Sequence, residues 1–468
     1  MRCDARRFGG DWCRLAIGAV VLAIAAGAVA AGAGPRHRKA AQAVPPDAEG
    51  RHLFLKLWPV GEASPTGGDG LGPLYNEGSC VACHHVGGLG GAGLNDRNVK
   101  LLVASGKVAD QVNNVFQGEL TDLHPGFRGG TSVVLHKHGT TRAVEERLRE
   151  IGSYTAIRTP DATTALRTTE RNTPPLFGAG LIDGILDRAL LDASAHRDEA
   201  FPEVKGRVSR LGDGRIGRFG WKGQVATLDD FVRAACANEL GLELPGRHQA
   251  SLTPAKEFDP KALKPDMEDR EVRLLFGFVR SLPRPGFRVP AEVAMLRSAP
   301  GKVDPVRGRA VFDRIGCATC HAPKLGEVDG LYSDLLLHDL GARLVDAGTY
   351  YGDSSPAPAP PGVLASGPAA AGEWRTPPLW GVASSAPYLH DGRAATLSEA
   401  IGLHGGEAEA TASRYAALPR AEQQSLLAFL HSLQAPPRDA APVRPAPRPP
   451  EPPARRPRTA AFITGFPF

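Results

Sequence analysis

Residues 308–321 read Gly308-Arg-Ala-Val-Phe312-Asp-Arg-Ile-Gly-Cys317-Ala-Thr-Cys320-His321, and residues 72–84 read Gly72-Pro-Leu-Tyr75-Asn-Glu-Gly-Ser-Cys80-Val-Ala-Cys83-His84. Each stretch sets an aromatic, Phe312 or Tyr75, five residues ahead of the first cysteine of a Cys-x-x-Cys-His unit. In the second copy Val306, Ala310, Val311 and Ile315 recur at helical spacing, which predicts a helix over 305–314. The two stretches form a weak internal duplication in which a helix delivers the cysteines of each copy.

A Cys-x-x-Cys-His unit holds two thiols one helical turn apart, where both can add to the vinyl groups of a haem, and turns the next imidazole toward the iron. A redox-active thiol pair and half of a zinc site are the other uses of Cys-x-x-Cys. Two copies, each with the adjacent histidine, favour two covalently bound c-type haems. Cys80, Cys83, Cys317 and Cys320 are the expected anchors, with His84 and His321 as iron ligands. The occupant of each iron's sixth position separates electron transfer from substrate chemistry. Met267 and Met295 are the internal methionines, and neither lies near the first unit in sequence. His404 follows a helix-like stretch and leads into Gly405-Gly406, where backbone can pass close to a flat cofactor; it is the candidate sixth ligand of the second iron.

Outside these units the chain reads as mainly α, with long loops and little β. Helices are expected over 142–151, 228–240, 269–281, 397–403 and 419–433, and strand-like alternation is scarce. Residues 52–58 read as a short apolar turn or strand. The organisation that follows is a signal peptide or anchor over 1–34 and a leader over 35–69. A first cytochrome c-like haem domain with insertions spans 70–282, a proline-rich linker 283–303 and a second haem domain 304–434. A Pro/Ala/Arg-rich extended tail covers 435–468.

The chain has 468 residues, 42% hydrophobic and 22% charged, a globular composition for two or three domains. Its net charge of +5 is concentrated in residues 1–40 and 435–468, so the body is mildly acidic and carries no basic stripe; nucleic acid is excluded as a partner. Seven cysteines are too few for a disulfide scaffold of this size, and Cys236, alone in a helix candidate, reads as core packing. Arg2, Arg6, Arg7 and Arg14 precede an apolar, alanine-rich run over 15–31, the pattern of an export signal or retained anchor. The expected location is the periplasm, with membrane contact only if that segment is retained.

The order of motifs in the second half resembles a known family. Trp374-Arg-Thr-Pro-Pro-Leu-Trp-Gly381, Ala386-Pro-Tyr-Leu-His-Asp-Gly392, and Thr396-Leu-Ser-Glu-Ala-Ile through His404-Gly-Gly resemble the second-haem domain of bacterial di-haem cytochrome c peroxidases. They are closer still to the related di-haem oxidoreductase family. In the peroxidases the position of His404 holds Met, and in the relative that matures tryptophan tryptophylquinone it holds Tyr; the His implies a bis-His, low-spin second haem. In the first half, Arg171-Asn-Thr-Pro-Pro-Leu-Phe-Gly178, Phe219-Gly-Trp-Lys-Gly-Gln224, and Thr227-Leu through Asn238-Glu239-Leu-Gly241 follow the same order. By that resemblance Trp221 corresponds to the tryptophan between the haems and Glu239 to the distal carboxylate that acts as acid and base on peroxide. Gln224 is a candidate hydrogen-bonding group of the distal pocket, a solvent-facing amide being its other reading.

Where peroxidases supply a distal histidine, this chain reads Thr168-Thr-Glu-Arg-Asn172. The first iron is therefore expected open or weakly ligated, with His124, His136 or His138 as the alternative ligand. The resemblance also implies a calcium site between the domains: Thr376 and Pro378 match its carbonyl donors, and Gly178 stands where an Asn ligand is expected. The function implied is a peroxidase-like oxidoreductase. Hydrogen peroxide is reduced at the first haem, and electrons arrive through the second from a small redox protein or small-molecule donor. A non-enzymatic electron-transfer cytochrome and an O2-dependent oxidase or oxygenase are the other readings.

Overall fold

Thr227, Asp304 and Thr396 each stand just ahead of an apolar-periodic run and cap it. Thr227 Oγ1 accepts the Asp230 N–H at 3.1 Å, Asp304 Oδ1 the Val306 N–H at 3.1 Å and Thr396 Oγ1 the Glu399 N–H at 3.2 Å. Orphan donors are thereby satisfied where the sequence places these side chains. The computed structural model describes residues 46–61, 65–105, 124, 127, 132–139, 146, 154–159, 162–250, 264–296, 303–346, 348 and 369–443, all within one unit, Val44–Phe468. Helices α1 (Pro46–Leu55), α2 (Cys80–Cys83), α3 (Ala179–Asp183), α4 (Asp187–Ala195), α5 (Leu228–Glu239) and α6 (Asp269–Ser281) occupy the first half. Helices α7 (Ala291–Leu296), α8 (Pro305–Arg314), α9 (Cys317–Cys320), α10 (Leu397–Leu403), α11 (Glu409–Ala416) and α12 (Arg420–His431) follow. The chain is helix-rich with only small sheets, as expected. Helices α5, α6, α8, α10 and α12 fall on the expected stretches, while the helix expected over 142–151 lies outside the described residues apart from Glu146.

The duplication is deeper than the cysteine units. Helix α1 packs on α6, and α8 on α12, through the same pair of side chains. Phe54 meets Phe278 with ring centroids 5.3 Å apart and planes at 56°; Phe312 meets Phe429 at 5.4 Å and 64°. Four residues before each phenylalanine sits a glycine, Gly50 or Gly308. A Cβ on Gly50 would run into the Leu274 carbonyl of α6, and one on Gly308 into the Ser425 carbonyl of α12. The missing side chain lets the helix axes close, and the aromatic one turn on fills the gap beside the contact. Gly50-Arg-His-Leu-Phe54 is thus the counterpart of Gly308-Arg-Ala-Val-Phe312.

That finding corrects two expectations. Residues 52–58, expected as a turn or strand within a leader, include the end of helix α1, which belongs to the first-half core. Tyr75 is not the counterpart of Phe312: residues 71–79 form no helix, and the Tyr75 ring stacks on His138 at 4.6 Å instead. About twenty-five residues separate α1 from Cys80, and this insertion hides the repeat's register. Within the expected linker, α7 forms and Val293 packs with Val303 and Ala428.

A four-stranded antiparallel sheet is the main departure from the little β expected. Strands β1 (Val99–Ser105), β2 (Ser132–Leu135), β3 (Tyr154–Thr159) and β4 (Ala162–Arg171) lie in the order β2-β1-β4-β3, with Leu101 opposite Val134 and Thr169. Successive residues of β1 from Leu101 to Ala104 are all buried, so the strand is covered on both faces and shows no alternation to read. The end of β4 is tied to the second half by a buried ion pair, Arg171 Nη1 to Asp346 Oδ2 at 2.6 Å.

The halves also clasp each other through two reciprocal backbone bonds. Asn172 N–H donates to the His390 carbonyl at 2.7 Å, and Arg375 N–H donates to the Trp221 carbonyl at 2.9 Å. Asn172 and Arg375 hold the same place in Asn172-Thr-Pro-Pro-Leu-Phe-Gly178 and Arg375-Thr-Pro-Pro-Leu-Trp-Gly381. Trp221 and His390 hold the same place in Trp221-Lys-Gly-Gln-Val-Ala-Thr-Leu228 and His390-Asp-Gly-Arg-Ala-Ala-Thr-Leu397. Strand β5 (Leu337–Asp339) pairs with β6 (Glu373–Arg375), which fixes Arg375 at this seam.

The glycine contacts predict opposite outcomes at two helical positions. Gly308→Ala forces a methyl against the Ser425 carbonyl and should lower unfolding free energy by about 1–3 kcal/mol in urea. Gly277→Ala in α6 meets open space and should raise it by up to about 1 kcal/mol. Equal effects at the two sites would contradict the packing.

Candidate functional site

Both Cys-x-x-Cys-His units are single helical turns. In α2 the His84 N–H donates to the Cys80 carbonyl at 3.0 Å, and in α9 the His321 N–H donates to the Cys317 carbonyl at 2.9 Å. The thiols of each unit therefore lie one turn apart, as the spacing requires. His84 Nδ1 donates to the Gly91 carbonyl at 3.1 Å and His321 Nδ1 to the Tyr332 carbonyl at 3.0 Å. A carbonyl partner places the ring proton on Nδ1 and leaves the Nε2 lone pair for a metal. Burial pushes both imidazoles down to about 4, so both are neutral at pH 7, the form that ligates iron. Phe54 and Phe312 stand in the same relation to the two rings, each with centroids 6.4 Å apart.

The cysteines do not resemble a redox pair. Burial pushes Cys83 and Cys317 up to about 12 and raises Cys80 and Cys320 as well, whereas a reactive dithiol needs a depressed pKa. Nor do they sit in a zinc cage: among the described residues no three His, Cys, Asp or Glu side chains gather as one.

The second unit opens onto a cavity of about 270 Å³, largely apolar, lined by Cys317, Cys320, His321 and His404 and by Trp221 and Phe177 from the first half. His404 caps the end of α10, where its Nδ1 donates to the Ala400 carbonyl at 2.8 Å. Burial lowers its pKa, and its charge would in turn depress that of His321, so the two rings are neighbours. Two neutral imidazoles with satisfied Nδ1 atoms, two thiols and apolar walls are a donor set that fits a haem.

His338 is a feature that sequence reasoning missed. Its Nε2 donates to Asp334 at 2.9 Å and its Nδ1 to Glu407 at 2.8 Å, with the Cys320 sulfur 3.6 Å from Nδ1. Burial opposes charging this ring, but Asp334 and the other anionic neighbours hold its pKa well above the usual value, so it is an imidazolium. No local motif announces it, because its carboxylates come from two separate segments.

In the first half, Trp221 lies at the seam: its Nε1 donates to the Asn172 carbonyl at 2.9 Å. Glu239 ends α5, accepts the Asn76 Nδ2–H at 2.7 Å and contributes to raising the Cys83 pKa, which places it beside the first unit. Gln224 Oε1 accepts the Lys222 N–H at 3.0 Å within the turn that follows Trp221. His136 Nε2 donates to the Asn238 carbonyl at 2.8 Å, His124 is buried edge-on to Phe127, and His138 is exposed against Tyr75. Met267 and Cys236 are buried in the first-half core, while Met295 is exposed.

Thr227 and Thr396 cap α5 and α10 at matching positions. The two helices then differ in length: α10 stops at Leu403 and hands over to His404, whereas α5 runs on to Glu239, beside the first unit.

Of the expected calcium donors, the Thr376 carbonyl is already engaged and Gly178 has no side chain to offer. The Thr376 carbonyl accepts Ser333 Oγ at 2.7 Å and Arg375 Nη1 at 3.2 Å, and Gly178, at φ 67°, lies against the Trp380 ring and offers no side-chain oxygen. This set does not fit a calcium cage.

The geometry agrees with what sequence comparison finds. Residues 290–433 match the family described as "Di-haem oxidoreductase, putative peroxidase". No curated protein matches the chain. Among solved structures, hydrazine synthase of Kuenenia stuttgartiensis is similar at 18% identity over 56% of this chain and 72% of that one, with a TM-score of 0.32. A MauG-like protein associated with microbial copper homeostasis is similar at 21% identity over 55% of this chain and 88% of that one, with a TM-score of 0.26. Superpositions that loose carry no argument; the family match and the donor set do. Residues 290–433 are thus similar to the di-haem oxidoreductase family.

Proposed function

We propose that this chain is an exported oxidoreductase that carries two covalently bound c-type haems and reduces hydrogen peroxide. Cys80 and Cys83 would anchor the first haem and His84 would ligate its iron; Cys317 and Cys320 would anchor the second, with His321 and His404 as its ligands. A bound haem supplies a redox iron whose sixth position either takes a side chain or remains available to a substrate. The observation that carries the reading is the contrast at the ends of two helices capped alike: α10 hands over to His404, beside His321, and α5 ends on Glu239, a carboxylate beside the first unit.

The side chains around the first unit fit the chemistry. Reducing one peroxide to two waters takes two electrons and two protons. Glu239, oriented by Asn76, accepts a proton from the inner peroxide oxygen and returns it to the outer one, which then leaves as water. Trp221 lies at the seam, hydrogen-bonded to Asn172 and bonded through its carbonyl to Arg375, and this contact carries electrons between the halves. A small redox protein or a small-molecule donor supplies them from outside. Periplasmic location rests on the basic, then apolar, opening of the chain. Calcium has no part in this reading, because the Thr376 carbonyl is engaged and Gly178 has no side chain to offer.

Four outcomes follow. Oxidised holoprotein should show one high-spin and one low-spin haem by EPR. His404→Ala should make the second haem high-spin; two low-spin haems in the unaltered protein would leave an electron-transfer cytochrome. Glu239→Gln should slow the peroxide reaction by about 10²–10⁴, and a change below about threefold would return Glu239 to a solvated charge. Exhaustive treatment with a calcium chelator should leave the spectrum, the turnover and the Tm unchanged; loss of any of them would restore the ion.

A further inference from the structure

Three arginines are buried among the described residues, and two of them have carboxylate partners. Arg171 is paired with Asp346 at 2.6 Å, and Arg218 with Asp187. The third, Arg375, is 8% exposed and has none: among the described residues no carboxylate lies within 4.0 Å of it. Its Nε donates to the Gly220 carbonyl at 2.8 Å and its Nη1 to the Thr376 carbonyl at 3.2 Å, which fixes the guanidinium without neutralising it. Burial pushes its pKa down to about 10 against the opposing pull of Asp334, whose carboxylate is itself bonded to His338. An unpaired buried charge is costly unless an anion arrives to meet it.

His390, in the same cavity wall, turns its ring nitrogen toward carboxylates instead. It is 3% exposed, and its ring is fixed by stacking on Trp374, with centroids 3.7 Å apart and planes at 15°. Its Nε2 is buried without a hydrogen-bond partner, since the nearest carboxylate oxygens, of Asp346 and Asp391, are each 3.7 Å away. Arg375 and His390 both line the cavity that holds His321 and His404, whose remaining walls are largely apolar.

We propose that Arg375 forms a carboxylate seat in this cavity, and that its occupant is the propionate of the haem anchored at Cys317 and Cys320. A guanidinium fork suits a planar carboxylate, and a propionate is the carboxylate a haem brings with it. The seat rests on the di-haem reading and deepens it, because it assigns Arg375 a task separate from iron ligation. It also makes Arg375 a device for raising the second haem's potential, since a nearby fixed cation favours the reduced iron.

The test compares holoprotein with Arg375→Met and Arg375→Lys, after haem content has been counted by pyridine haemochrome. Arg375→Met should shift the midpoint potential of the second haem downward while moving that of the first much less. It should also displace the propionate-bending bands of the second haem in resonance Raman spectra. Arg375→Lys, which keeps the charge but loses the fork, should hold the potential and still displace the bands; if the Met variant fails to mature, the Lys variant carries the band comparison alone. Unchanged bands in every matured variant would overturn the seat. So would a potential in the unaltered protein that responds to added acetate, because the site would then take a free anion. Fewer than two haems per unaltered chain would instead overturn the di-haem reading beneath it.

Discussion

Two backbone hydrogen bonds hold the molecule's halves in register, and the site depends on them. Asn172 binds the carbonyl of His390 and Arg375 binds that of Trp221, so each half contributes one donor and one acceptor from equivalent positions of its own repeat. Such reciprocal contacts are the signature of a two-fold relation, here within a single chain. Their effect is to bring the residue after each helix-connecting loop against the Thr-Pro-Pro-Leu segment of the other half. Trp221 of the first half thereby lines a cavity whose thiols and imidazoles belong to the second.

Duplication followed by divergence explains the asymmetry. The same capped helix follows each clasp, and the same glycine–phenylalanine pair seats a helix against each cysteine unit. Within that shared frame a few differences separate the halves, among them Trp221 for His390 and Asn172 for Arg375. Each replaces one polar or aromatic character with another at a position the backbone already fixes. In the proposed division of labour, one half leaves a coordination position open and the other closes it.

Much of this was legible in the sequence, for identifiable reasons. The cysteine units are self-contained, and helices α6, α8 and α10 announce themselves through caps and apolar spacing. His404 was legible from the motif around it. Helix α1 was not, because the insertion before Cys80 displaces Gly50-Arg-His-Leu-Phe54 from the unit it supports. The sheet was hidden because β1 is buried on both faces and β4 is rich in threonine and charge. The sandwiched His338 and the unpaired Arg375 depend on which side chains meet after folding, and no local pattern encodes a partner or its absence.

The separation of α1 from its partner bears on assembly. Closing the first cradle joins Phe54 to Phe278 across more than 200 residues, whereas the second joins Phe312 to Phe429 across about 120. The extra loop entropy is small, on the order of 0.6 kcal/mol per doubling of length, so thermodynamics barely distinguishes the two closures. Time does: in a chain that emerges from its amino terminus, Cys80 and Cys83 appear long before α6, while α12 follows soon after Cys317 and Cys320. The earlier thiol pair therefore stays accessible for the longer interval before the fold shuts.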